Sequence, residues 1–201
     1  MKVEVSEKDV QAVKAYLNYI SDLKEKKKTM LNGFLRRHVQ DVHFNPFVSE
    51  KAVELLKKKN ITSKALKEIT WNYEKPGDGV DKNIRMYFTD RAQGKKNTKK
   101  ILHFEHNIPA GQAAEMLLNL GKDLTDADQK IKEILSLCTL CLIAVEEDAN
   151  LNNEYWEPEE IIKQTGIKVA NKQRWTNIRP TNAYKRLKIE LMTLDDACKV
   201  L

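Results

Sequence analysis

The run Leu102-His103-Phe104-Glu105-His106-Asn107-Ile108 is stopped by Pro109, and no other local feature constrains the fold of this chain as tightly. Proline fixes its own φ and drives the preceding residue out of the helical region. The residues before it read as a strand, on which neighbouring side chains point to opposite faces. Glu105 and His106 are therefore expected to act together only where the strand ends and the backbone turns, the kind of turn that Pro109 enforces. A carboxylate and an imidazole at such an exit can hold a divalent metal and activate a water beside it. Histidine suits the proton acceptor, with an unperturbed pKa of ~6.5. A carboxylate-bound hard ion, Mg²⁺ or Mn²⁺, suits the charge that phosphodiester hydrolysis needs. The plainer alternative is an exposed acid and histidine at a strand end with no role.

Around this segment the periodicity is mostly helical. Val10, Val13, Leu17, Ile20 and Leu23 recur at helical spacing behind Ser6, a natural N-cap. Further helices are expected over Met30 to Val39, after Ser49 through Ala52, Val53, Leu55 and Leu56, and from Ser63 toward Trp71. Pro76-Gly77-Asp78-Gly79 is the clearest break. It divides the chain into a helical, lysine-rich region over 1–75 and a second region over 76–201. In the second, Ile84 to Thr89 and Lys100 to Glu105 read as two strands joined by a turn holding Gly94 and Asn97. A helix from Ala110 to Leu120 follows, closed by Gly121, then one from Thr125 to Leu137 with Thr125 and Asp128 arranged like a capping box. Cys138 to Val145 is a short apolar run expected as a buried strand, and Glu146-Glu147-Asp148 starts the next helix, with Leu151 on its inner face. Tyr184 to Leu191 could close as helix or strand.

A chain of 201 residues can bury a core of its own, and 41% hydrophobic against 32% charged residues fits a globular protein. Its three cysteines cannot all pair, so reduced thiols in the cytoplasm are expected. Neither a membrane span, which needs ~20 apolar residues, nor a secretory leader is expected. Cys138-Thr139-Leu140-Cys141 has metal-like spacing, but a zinc site needs about four ligands and no second Cys or His pair follows. Those thiols are expected in the core.

The net charge of +6 is modest, and its clustering says more. Basic residues gather at 24–28, at 36–38, at 57–59 and at Lys95, Lys96, Lys99 and Lys100. Such groups can neutralise phosphates and release counterions, or simply solvate helix ends. Arg174, Arg179, Lys185 and Arg186 surround Trp175 and Tyr184, a mixture suited to a nucleic-acid groove. His103, two residues before Glu105, shares its strand face and is expected to support it or to contact phosphate, or else to be a partly buried structural histidine. His38 and His43 read as surface or capping residues.

Glu105-His106-Asn107-Ile108-Pro109 resembles the first motif of the HNH, or ββα-metal, nucleases: an acidic or histidine residue, the catalytic histidine, two residues and proline. The run Leu142 to Asn152 resembles that family's second strand and helix start, and the stretch 100–191 resembles small prokaryotic HNH restriction endonucleases. The resemblance implies an α+β, mainly helical fold with a small ββα-metal core and a helical N-terminal region. It implies a type II restriction enzyme that cuts double-stranded DNA, with His106 as general base. Glu105, Asp148 and Asn152 would be the metal site for Mg²⁺ or Mn²⁺, Asp148 and Asn152 standing one turn apart on a helix face. The chain departs from the family in its long gap between His106 and Asp148 and in lacking paired zinc-knuckle cysteines. A palindromic target would suit a homodimer.

Two other readings use the same residues. Asp90, Glu105 and Asn107 could form a degenerate PD-(D/E)xK site, which leaves His106 and Pro109 without a job. The basic clusters also fit a non-catalytic nucleic-acid-binding regulator of phage or mobile-element origin.

Overall fold

The computed structural model describes residues 3–23, 26–42, 47–71, 100–121, 124–174 and 178–201, by backbone alone at 37–42, 68–71 and 173–174. Among them the chain is α+β and mainly helical, with ten helices, a four-stranded mixed sheet and a two-stranded one. The expected strand Ile84–Thr89, its turn at Gly94 and Asn97, the break at Pro76, and Asp90, Lys95, Lys96, Lys99, Trp175 and His43 lie outside the described residues. No helix among those described is long and apolar enough to cross a membrane.

The chain divides into two compact units, each assembled from three stretches. Both draw on residues from 1–75 and from 76–201. The first unit takes in Met1–His43, His106–Thr139 and Asn153–Ala183. Its helices are α1 (Glu7–Ser21), α2 (Lys27–Val42), α5 (Ala110–Leu118) and α6 (Asp128–Ser136), with α2 packed on both α1 and α5 and α6 against α1 and α5. Helix α1 is the one its periodicity predicts. Ser6 and Asp9 form a reciprocal capping box, and Val10, Val13, Leu17 and Ile20 are buried. Pro109 is the N-cap residue of α5, three residues after β2 ends at His106. The capping box expected at Thr125 does not start α6, which begins at Asp128 behind Ala127 with no side-chain cap. The short pair β4 (Tyr155–Trp156) and β5 (Gln173–Arg174) brackets α8 (Pro158–Thr165), a helix with proline in its first turn and Gly166 in the left-handed region at its end.

The second unit takes in Phe44–Glu105, Leu140–Asn152 and Tyr184–Leu201. Its sheet has the order β2 (Leu102–His106), β3 (Leu140–Ala144), β1 (Phe47–Ser49), β6 (Leu191–Thr193). Strand β1 runs parallel to β3, with Val48 opposite Leu142, and antiparallel to β6, with Val48 opposite Met192. All five residues of β3 are buried, as its unbroken apolar sequence demands of a central strand. Helices α3 (Glu50–Lys58), α4 (Ser63–Trp71), α7 (Val145–Asn153), α9 (Ala183–Arg186) and α10 (Leu194–Val200) complete the fold. The core of this unit joins Val53 and Leu56 of α3, Leu66 of α4, Leu102 of β2, Leu142 of β3 and Ala197 of α10.

At one end of the β2–β3 pair the Val145 amide donates to the Ile101 carbonyl at 2.9 Å. At the other the Asn107 amide donates to the Thr139 carbonyl at 2.8 Å. Each strand's start lies beside the other's end, so the two run antiparallel. Helix α7 leaves directly from β3.

Candidate metal centre

Three potential ligands meet where β2 and the first turn of α7 come together. His103 and Glu105 are two apart on β2 and so share a face. The His103 Nε2 stands 3.1 Å from the Glu105 Oε2. Both are enclosed, His103 at 7% and Glu105 at 2% of full exposure. Asp148 adds a second carboxylate from α7, and one ligand atom from each of the three lies within 4.8 Å of the others. Two carboxylates that close repel by roughly 3 kcal/mol even at an effective dielectric of ~20. One imidazole can offset one of those charges. A cation satisfies both, and the donor set is one that divalent ions accept.

The turn that presents Asp148 is fixed by its neighbours. The buried Glu147 Oε2 accepts from the Ala144 amide at 2.8 Å and from the Ser49 Oγ at 2.6 Å. Glu146 points outward to the Lys51 ammonium at 2.6 Å, a hydrogen bond that raises the pKa of that lysine. Three consecutive acids thus have three separate tasks, and only Asp148 joins His103 and Glu105. Asn152 lies one turn further along α7 and donates its Nδ2 to the Asp148 carbonyl at 2.9 Å. That leaves its amide oxygen as the atom it can offer an ion.

His106 is the other imidazole of the motif. It closes β2 half-buried, and alternation places it with Phe104 on the face opposite Glu105. The group that converges is therefore His103, Glu105 and Asp148, rather than Glu105, His106 and Asp148. Asn107 is buried and structural: its Nδ2 donates to the Leu137 carbonyl at 3.2 Å and its amide to Thr139. An asparagine committed in this way does not take the place of a catalytic lysine.

Among the residues expected to meet nucleic acid, Lys185 and Arg186 are exposed on α9 and Lys100 is half-buried before β2. Arg174 lies on β5. Two expectations need correcting. Arg179 is fully buried, its amide donating to the Gln112 Oε1 at 2.8 Å and its carbonyl accepting from the Gln112 Nε2 at 2.7 Å. A guanidinium with no exposure does not reach a phosphate. His103 is likewise enclosed beside Glu105 rather than on a phosphate-contacting surface. Trp156 is in the core, and both Cys138 and Cys141 are buried thiols, burial alone pushing Cys138 up to about 12.

The importance of His103 was open to sequence reasoning through the period of two shared with Glu105. The task of Glu147 was not, because its partner Ser49 lies 98 residues away in the chain. Comparison with protein-family models, with curated proteins and with solved structures finds no match to this chain.

Proposed function

We propose that this protein is a metal-dependent endonuclease of double-stranded DNA, of the restriction type, acting by phosphodiester hydrolysis. The observation that carries the reading is the convergence of His103, Glu105 and Asp148 within 4.8 Å at the junction of β2 and α7. Glu105 and Asp148, one buried and one half-buried, fit a divalent cation, because two carboxylates this close are stabilised by one. Bound there, Mg²⁺ or Mn²⁺ would supply positive charge for the phosphate oxygens and the leaving oxygen. Two adjacent antiparallel strands followed at once by a helix also support the resemblance to ββα-metal nucleases.

Proton transfer from the attacking water falls to an imidazole of β2. His106 is the one marked by the motif, and its half-buried ring is within reach of water. His103 is the one beside Glu105. Exposed lysines at 57–59, at the C-terminal end of α3, and at 185 of α9 supply sequence-independent attraction to the duplex, and a palindromic target would call for a homodimer.

The test is plasmid cleavage with Mg²⁺ or Mn²⁺ by wild type, Glu105→Gln, Asp148→Asn, His106→Ala and His103→Ala. The reading expects discrete cutting by wild type and a loss of at least about a hundredfold in both carboxylate variants. Cleavage that survives His106→Ala removes His106 from the proton-accepting role. Duplex binding without cutting, under either ion, rejects the nuclease in favour of a regulator.

A further inference from the structure

We propose that His103 is a metal ligand, and that the centre it forms with Glu105 and Asp148 selects first-row transition ions such as Mn²⁺ and Zn²⁺ over Mg²⁺. This rests on the ion-binding half of the function proposed above and extends it to the class of ion. Neither the motif nor the spacing of acidic residues assigns His103 to an ion; its place in the structure does.

Ligands bonded at ~2.1 Å and at right angles stand ~3.0 Å apart. The His103 Nε2 and Glu105 Oε2 stand 3.1 Å apart, the spacing of two neighbouring ligands on one ion. The full group spans at most 4.8 Å, so small side-chain rotations bring all three donors into a single coordination shell. The ring and the Glu105 carboxylate are both enclosed, which limits the waters that could replace them. Mg²⁺ favours oxygen ligands and keeps several waters, whereas an imidazole nitrogen suits Zn²⁺ and its neighbours. One nitrogen with two carboxylates is a mixed donor set, and it rewards the transition ions.

Two measurements on the metal-free full chain test this without any cleavage assay. Titration calorimetry with Mn²⁺, Zn²⁺ and Mg²⁺ separately should give transition-ion affinities at least about tenfold above that for Mg²⁺. His103→Ala should lower the Zn²⁺ affinity by at least about tenfold, while Mg²⁺ affinity changes little. Because a buried histidine can be needed for folding, wild type carries a second readout. Electron spin-echo modulation of the Mn²⁺-loaded protein should show a directly bound ¹⁴N. An all-oxygen Mn²⁺ shell, equal affinities for Mg²⁺ and Zn²⁺, or no Mn²⁺ binding at millimolar concentration overturns the proposal. Bound nitrogen without DNA cleavage sustains it and rejects the nuclease, and an oxygen-only centre that cleaves does the reverse.

Discussion

The Ser49 hydroxyl donates a 2.6 Å hydrogen bond to the Glu147 carboxylate, and both groups are buried. The same Ser49 oxygen accepts from the Ala52 amide at 3.0 Å, capping α3, while the same Glu147 oxygen accepts from the Ala144 amide at the start of α7. One pair of side chains therefore terminates two helices at once. It also joins the end of β1 to the end of β3, the two strands that run parallel at the centre of the sheet. Asp148 follows Glu147 directly, so the bond also sets the angle at which the Asp148 carboxylate is presented to His103 and Glu105.

Ser49→Ala removes an N-cap and a hydrogen bond to a carboxylate together, and should lower unfolding stability by roughly 2 kcal/mol. In a double-mutant cycle with Glu147→Ala the coupling should be about 1 kcal/mol or more, read from urea unfolding. A coupling near zero would show that the two groups are not bonded in solution.

Much of the helical part was legible in the sequence because its signals are local. Ser6, Asp9 and the spacing of Val10, Val13, Leu17 and Ile20 lie within a few turns of one another. Strand β1 was not legible: three residues carry no period, and its partners Cys141 and Met192 are far along the chain. The stretch after Tyr184 was ambiguous for the same reason, and becomes a short helix, a three-residue strand and a final helix. Helix α8 was missed although Pro158 and Gly166 are ordinary start and stop signals. At the site, the period of two correctly put His103 on the face of Glu105, and the same rule separates Glu105 from His106 while the strand continues through both.

Asp148→Asn should separate ion binding from folding. In metal-free protein it removes repulsion against Glu105, so stability should hold or rise by about 1 kcal/mol. With Mn²⁺ present, wild type should gain stability by mass action, about 2.7 kcal/mol at a hundred times the dissociation constant, and the variant should gain far less. Thermal melts with and without Mn²⁺ check both halves. A variant that loses stability without metal, yet keeps the Mn²⁺ gain, contradicts the placement of Asp148 in the centre.

Gln112 is fully buried on α5 and holds both backbone groups of Arg179 through its amide. Gln112→Ala leaves an enclosed N–H and an enclosed carbonyl without this partner, and should destabilise the chain by roughly 2–4 kcal/mol. Gln112→Glu keeps an acceptor for the Arg179 amide but sets a carboxylate against the Arg179 carbonyl, so it should not restore stability. Chemical unfolding with an unchanged slope would assign the loss to this clamp rather than to an altered denatured state.

Cys138 offers a test through pH. Burial pushes its thiol up to about 12, against an ordinary value near 9.0, because the thiolate is poorly solvated in the core. The folded chain therefore keeps the proton over a range where the unfolded chain gives it up. Below pH 9 the thiol is protonated in both states and contributes no pH dependence. Between about 9 and 12 only the unfolded chain ionises, so this group should lower stability steadily as pH rises through that window. The same burial should block alkylation. At pH 8, iodoacetamide should modify Cys198, which is half-buried, before either Cys138 or Cys141. Peptide mapping by mass spectrometry reads the order, and Cys138 should become reactive only as denaturant unfolds the chain. Rapid native labelling of Cys138 would show that the segment before β3 opens far more readily than its burial implies.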